Sequence, residues 1–147
     1  MNKSDLNGKH LLAIDYGTKY TGLATHKVGI DPIILLQERL KYENDTQLIN
    51  EIKNFIEDEF IELVIVGVPY FTDGTESKMT QTIKKFITEL NKSLDIDVVE
   101  QDETLSTFEA EERMKNDPRF NFQVDYSKID SMSALITLEE FLNSRDN

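Results

Sequence analysis

The 147-residue chain contains no cysteine. Disulfides, thiolate zinc sites and thiol nucleophiles are therefore excluded, and the chain fits a reducing compartment, with the cytoplasm as the expected location. Histidine is nearly absent as well: His10 and His26 cannot by themselves build a histidine-rich metal centre. A metal site here has to be made of oxygen donors, and such donors suit magnesium or manganese. No apolar run approaches membrane-spanning length, and the opening MNKSDLNGKH lacks the apolar core of a signal peptide, so no membrane partner is expected. Internal repeats, low-complexity tracts and linkers are missing too. Residues 1–147 are expected to form one domain, with 1–8 and 144–147 as loose ends. Positive charge is scarce: 16 Lys and Arg against 28 Asp and Glu leave a net charge of −12. Such a surface repels a polyanion unless its cations are gathered locally. Hydrophobic residues at 39% and charged residues at 30% are otherwise ordinary for a globular chain of this length, which is long enough to bury a real core.

The stretch LLAIDYGTKYTG, residues 11–22, organises what is present. Its apolar run reads as a buried strand, about 10–15, ending in Asp15. A Gly17-Thr18-Lys19 turn follows, then a second strand over about 20–26. Gly29-Ile30-Asp31-Pro32 breaks the pattern, and 33–36 reads as a third strand, completing an antiparallel meander. From 45 to 60 the period becomes helical, with Leu48, Ile49, Ile52, Phe55, Ile56 and Phe60 on one stripe. Leu63-Val64-Ile65-Val66 reads as a strand buried on both faces. A turn-rich loop, GVPYFTDG, leads to a helix over 77–94, a short strand over 96–100, a helix over 106–115 with Ser106 and Glu109 as a capping box, a loop over 117–126 with exposed aromatics, and a last helix over 128–143. The late strand–helix–strand unit implies parallel pairing with a right-handed crossover. The expected class is α/β, a mixed sheet flanked by helices.

Three carboxylates fall where chemistry is plausible. Asp15 ends strand one, and Glu103 lies just past strand five; sites in α/β sheets form at such strand ends. Asp130 lies in the first turn of the last helix, sharing a small, polar face with Ser133, Ala134 and Thr137, whereas Met132, Leu135 and Ile136 look elsewhere. Each has a plainer reading. Asp15 can start a turn in which Gly17 supplies a positive φ, Glu103 can be a solvated loop residue with Asp102 as the alternative ligand, and Asp130 can favour the helix dipole. The turn after Asp15 can instead present N–H groups to a phosphate. Thr75 and Ser77 at the start of the 77–94 helix can hold a phosphate or merely cap the helix.

Taken together, Asp15-Tyr16-Gly17-Thr18-Lys19 with Gly22, Val66-Gly67-Val68-Pro69 with Asp73-Gly74-Thr75, Asp102-Glu103-Thr104-Leu105-Ser106-Thr107, and Ile129-Asp130-Ser131 with Ala134 resemble the YqgF family of pre-16S rRNA nucleases, also called Holliday-junction-resolvase-like proteins. The resemblance runs from about residue 10 to 143. It implies a ribonuclease-H-like fold, a five-stranded mixed sheet with strand three at one edge. It implies a metal-dependent nuclease that processes pre-16S rRNA ends, with precursor rRNA favoured over a DNA junction as partner and a ribosomal precursor particle as a further one. Asp15, Glu103 and Asp130 match the family's three acidic positions, and their implied role is to hold one or two Mg²⁺ or Mn²⁺ ions for phosphodiester hydrolysis. Gly17, Thr18, Lys19, Thr75, Lys78 and Lys128 are the candidates for meeting substrate phosphate, with Lys84, Lys85, Arg113, Lys115 and Arg119 as a rim. The chain departs from the family where Tyr20 and Thr104 stand in place of basic residues, and its 121–128 loop is less basic. A non-catalytic rRNA-binding assembly factor and a Holliday-junction resolvase are the alternative functions. Nucleotide binding through the Asp-x-Gly-Thr turn is a third, although actin-like ATPases usually need two such domains. Oligomeric state stays open.

Overall fold

Alternation along the first strand decides which way the sheet faces. In β1 (His10–Asp15), Leu12 and Ile14 point to one side, Leu11 and Ala13 to the other, and all four are fully buried. A strand apolar on both faces has to be covered twice. The even side packs with Leu48, Ile52, Ile83 and Phe86 of two helices, α2 (Asp45–Glu59) and α3 (Lys78–Ser93). The odd side packs with Met132, Leu135, Leu138 and Phe141 of α5 (Ile129–Asn143) and with Ala110 and Met114 of α4 (Thr107–Lys115). The computed structural model describes residues 2–103 and 107–145, without the side chains of 107 and 108. The expected Ser106–Glu109 capping box therefore lies partly outside the described residues.

Five strands form one sheet in the order β3-β2-β1-β4-β5. β1 pairs antiparallel with β2 (Tyr20–Lys27), and β2 pairs antiparallel with β3 (Leu35–Lys41), which forms one edge. β4 (Leu63–Pro69) and β5 (Asp97–Glu103) run parallel to β1 on the other side. Leu63 to Val66 are buried on both faces, as their β-branched run requires. This is the mixed sheet that the resemblance implies.

Three boundaries differ from the sequence expectation. The third strand, expected at 33–36, starts only at Leu35 and runs on to Lys41. Ile33 is 49% exposed in the preceding loop, and β3 runs instead through Gln37, Glu38 and Arg39. It is an edge strand, so hydrogen bonds on one side hold it and charged side chains are tolerated. β5 extends to Glu103 for the same reason, which makes Glu103 the last residue of the strand rather than a loop residue. At the start, residues 3–6 are not a loose lead-in: they form a helical turn, α1 (Lys3–Leu6), capped by Asn2, and bury Leu6 completely.

α5 is buried on more than one face. Ser131, Met132, Ala134, Leu135, Ile136, Thr137, Leu138 and Phe141 are all buried, because the helix crosses β1, β2 and β3 and is flanked by α4. It comes close to β2 at Gly22. A Cβ there would lie 1.9 Å from the Asp130 carbonyl oxygen, so only glycine lets the helix start rest on β2. Ser131 completes the joint. Its hydroxyl donates to the Gln37 carbonyl (2.7 Å) and accepts the Leu23 N–H (3.3 Å), tying α5 to two strands at once.

Candidate active site

The carboxyl ends of β1, β4 and β5, the start of β2, the end of β3 and the start of α5 meet at one edge of the sheet. Asp15 is the last residue of β1 and pairs with Gly22, the residue on which Asp130 rests. By alternation Asp15 faces α5, as do Leu11 and Ala13. Glu103 ends β5 opposite Pro69, and its carboxylate reaches back over Gly67: a Cβ at that glycine would lie 3.0 Å from Glu103 Oε2 and 3.1 Å from Thr137 Oγ1. The missing side chain at Gly67 is the space that Glu103 uses to approach Asp15.

Asp15 and Glu103 share a side-chain hydrogen bond. Burial, then the charges of Glu103 and Asp130, hold the Asp15 carboxyl well above the usual carboxylate range. Burial pushes Glu103 up to about 7, the bond with Asp15 opposing and the charge of Glu140 adding. Asp102, the alternative considered from sequence, is exposed and points to the other side of the strand. Asp130 is the outlying member. It acts on Asp15 through its charge, but its Oδ2 is paired with Arg39 Nη1 at 3.4 Å. Among the described residues, no three acidic or imidazole side chains stand close enough together to form a ready-made metal cage. Thr137 Oγ1, beside Glu103, is buried without a hydrogen-bond partner among the described residues.

The turn after Asp15 is shaped differently from the plain reading. Gly17 does not have positive φ; it is required because a Cβ would lie 2.2 Å from the Tyr20 carbonyl oxygen. Thr18 and Lys19 are exposed at its tip. Tyr16 anchors the turn from below: its hydroxyl donates to Asp45 Oδ1 (2.8 Å), which also accepts from Tyr42 (2.7 Å).

The remaining phosphate candidates are scattered. Thr75 is committed to its own loop, its N–H and hydroxyl both donating to Asp73 Oδ1. Ser77 caps α3 in a reciprocal box with Thr80, and Lys78 is exposed on the first turn. Lys128 stands at the start of α5, 5.8 Å from the Phe120 ring centre. Most of the proposed rim is already paired: Lys84 with Glu76, Arg113 with Glu139, Lys115 with Glu112 and Arg119 with Asp117.

Arg39 was not anticipated. Its guanidinium lies over Tyr20, the central carbon 3.5 Å from the ring centre, next to Asp130. The signal was in the sequence only once the register is known. Tyr20 pairs with Lys41, which makes Arg39 its diagonal cross-strand neighbour on the α5 side.

Comparison with known proteins agrees with this architecture. A family model described as RuvX, Holliday junction resolvase, matches residues 9–144. A protein of Gloeothece citriformis, provisionally named a pre-16S rRNA nuclease, is 31% identical over 91% of this chain and 87% of its own length. One of the same name from Sulfurovum sp. is 37% identical over 90% of this chain and 98% of its own. Among solved structures, Thermus thermophilus RuvC in complex with a Holliday junction superposes with a TM-score of 0.59 at 13% identity, covering 94% of this chain and 98% of that one. That likeness identifies the fold as ribonuclease-H-like.

Proposed function

This chain belongs to the RuvX family, and on that premise we propose that it is a nuclease hydrolysing phosphodiester bonds at the ends of precursor 16S rRNA. The observation that carries the reading is the Asp15–Glu103 pair. Two carboxylates are pressed together at the strand ends, both held above their usual titration range by burial and by neighbouring acids. Such a pair has to keep a proton or gain a cation, and an all-oxygen donor set suits Mg²⁺ or Mn²⁺. A divalent cation bound by Asp15 and Glu103, with Asp130 beside them, would supply Lewis-acid charge and an acidified water for attack on phosphorus.

The chain's own residues do the rest. The central strand fixes Asp15, since β1 is paired on both sides. Gly67 leaves room for Glu103, and Gly22 with Ser131 sets the height of Asp130 over the sheet. Arg39 orients the Asp130 carboxylate. The half-buried setting of the pair strengthens each charge interaction relative to open solvent. We read residues 1–147 as one catalytic domain and place its work in the cytoplasm, where precursor rRNA is processed; the family match over residues 9–144 supports the first. No helix among the described residues is long and apolar enough to cross a membrane.

The test is cleavage of a precursor 16S fragment in Mn²⁺ or Mg²⁺. Asp15→Asn, Glu103→Gln and Asp130→Asn should each lower turnover at least a hundredfold while leaving the circular dichroism unchanged. Full activity in the triple variant would refute the site. One observation favours a second reading, a non-catalytic rRNA-binding factor: Asp130 is already engaged by Arg39. Tight binding of the fragment with no turnover in either metal would establish that reading instead, and a parallel reaction with a four-way DNA junction separates resolvase from rRNA nuclease.

A further inference from the structure

Beside the carboxylates runs a groove of about 1060 Å³, floored by β2 and β3, with Tyr20, Leu36, Arg39, Lys41, Phe55 and Lys128 among its walls. In a chain of net charge −12, three cations on one groove are a local concentration of the kind a polyanion requires. Glu38 and Glu51 also line it, and Asp130 is paired with Arg39 beside it. Of the three cations Arg39 lies nearest an aromatic ring, its Cζ 3.5 Å from the Tyr20 ring centre against 5.8 Å for Lys128 over Phe120. Its two hydrogen bonds, to the Tyr126 carbonyl (3.3 Å) and Asp130 Oδ2 (3.4 Å), are long, and both use Nη1. Nη2 and Nε have no protein partner among the described residues. A guanidinium held against a ring, with part of its donor fork free, is pre-organised for the paired oxygens of a phosphate.

We propose that the Tyr20–Arg39 stack is a phosphate grip that holds a nucleic-acid strand along this groove, next to the carboxylates at the strand ends. Tyr20 positions the guanidinium, Arg39 binds a backbone phosphate oxygen through Nη2 and Nε, and Lys41 and Lys128 meet neighbouring phosphates. The contact is to the backbone, so it is indifferent to base sequence. The proposal rests on the nuclease reading and adds to it the side of the molecule on which the strand lies.

Fluorescence anisotropy with the labelled precursor 16S fragment, in an Asp15→Asn background that prevents cutting, measures affinity from 50 to 300 mM KCl. Arg39→Gln is expected to weaken binding about tenfold at 100 mM and to reduce the slope of log affinity against log salt by roughly 0.7–0.9, one phosphate contact. Arg39→Lys should keep the slope and lose part of the affinity, which separates charge from the stacked fork and guards against a folding defect in the glutamine variant. Tyr20→Leu, which removes the ring but no charge, should weaken binding severalfold. Lys92→Gln, an exposed lysine near the end of α3, should change nothing. Equal affinity and slope for Arg39→Gln and its Asp15→Asn parent, when that parent binds the fragment and the unsubstituted chain cleaves it, overturns the grip alone. Absence of binding by the parent overturns the grip and the nuclease reading together.

Discussion

Replacing Gly22 with alanine tests the joint on which the site depends. The added Cβ would sit 1.9 Å from the Asp130 carbonyl oxygen, 2.1 Å from its carbon and 2.6 Å from the Ser131 nitrogen, whereas ordinary contact begins at 3.4 Å. All three atoms are backbone, so no side chain can rotate away, and the start of α5 has to lift by about 1.5 Å. That shift breaks the Leu23 N–H bond to Ser131, now 3.3 Å, and stretches the 2.7 Å bond from Ser131 to Gln37 beyond hydrogen-bond range. Two buried bonds at about 1 kcal/mol each and overpacking of about 1–3 kcal/mol put the loss near 3–5 kcal/mol. Against a typical stability of about 5–15 kcal/mol this is large but leaves a folded protein in the cold. Urea unfolding followed by circular dichroism reads the loss as a lower midpoint at unchanged slope. Metal-dependent cleavage should fall as well, since Asp130 moves away from Asp15. A Gly22→Ala protein that unfolds within about 0.5 kcal/mol of the parent would refute the close-contact argument.

Other outcomes follow from the acidic pair and its surroundings. The folded-state values of Asp15 and Glu103 are raised, so their contribution to stability is greatest in acid and is lost as pH rises through the folded value, about 7 for Glu103. In EDTA the parent should therefore lose up to about 3 kcal/mol between pH 4.5 and 8 relative to Glu103→Gln, and Mn²⁺ at pH 8 should restore it; identical pH profiles for the two proteins would contradict the pair's geometry. Thr137→Val keeps the shape of the side chain and removes a buried hydroxyl without a partner among the described residues, so urea melts should show a gain of about 1 kcal/mol. A loss of that size would mean the hydroxyl has a partner, such as a bound water.

The central elements were legible because each is governed by one local pattern. β1 and the core of β4 are apolar runs bounded by turn residues, and α2 carries an apolar stripe behind the Asn44 cap. The edge strands were harder. Gln37-Glu38-Arg39 looks like loop, and Glu100-Gln101-Asp102-Glu103 looks like the end of a strand, because an edge strand is held by backbone bonds to its neighbour and needs little apolar side chain. Ile33 misled in the opposite direction, being apolar yet 49% exposed. The burial of α5 on nearly all sides was hidden as well, since its helical period says nothing about how many layers surround it.

For the site, the sequence by itself determined which chemistry is available. Without cysteine and with two histidines, it leaves carboxylates as the metal donors, and the motifs around Asp15, Glu103 and Asp130 single out three of them. What only the tertiary structure decided is how those three relate. Glu103 rather than Asp102 meets Asp15, because strand alternation and the space at Gly67 turn it toward α5. Asp130 stands apart on Arg39. Arg39 comes from another strand and lies over Tyr20. Such pairings depend on register and on backbone approach distances, which are properties of the assembled sheet and helix and of no single segment of the chain.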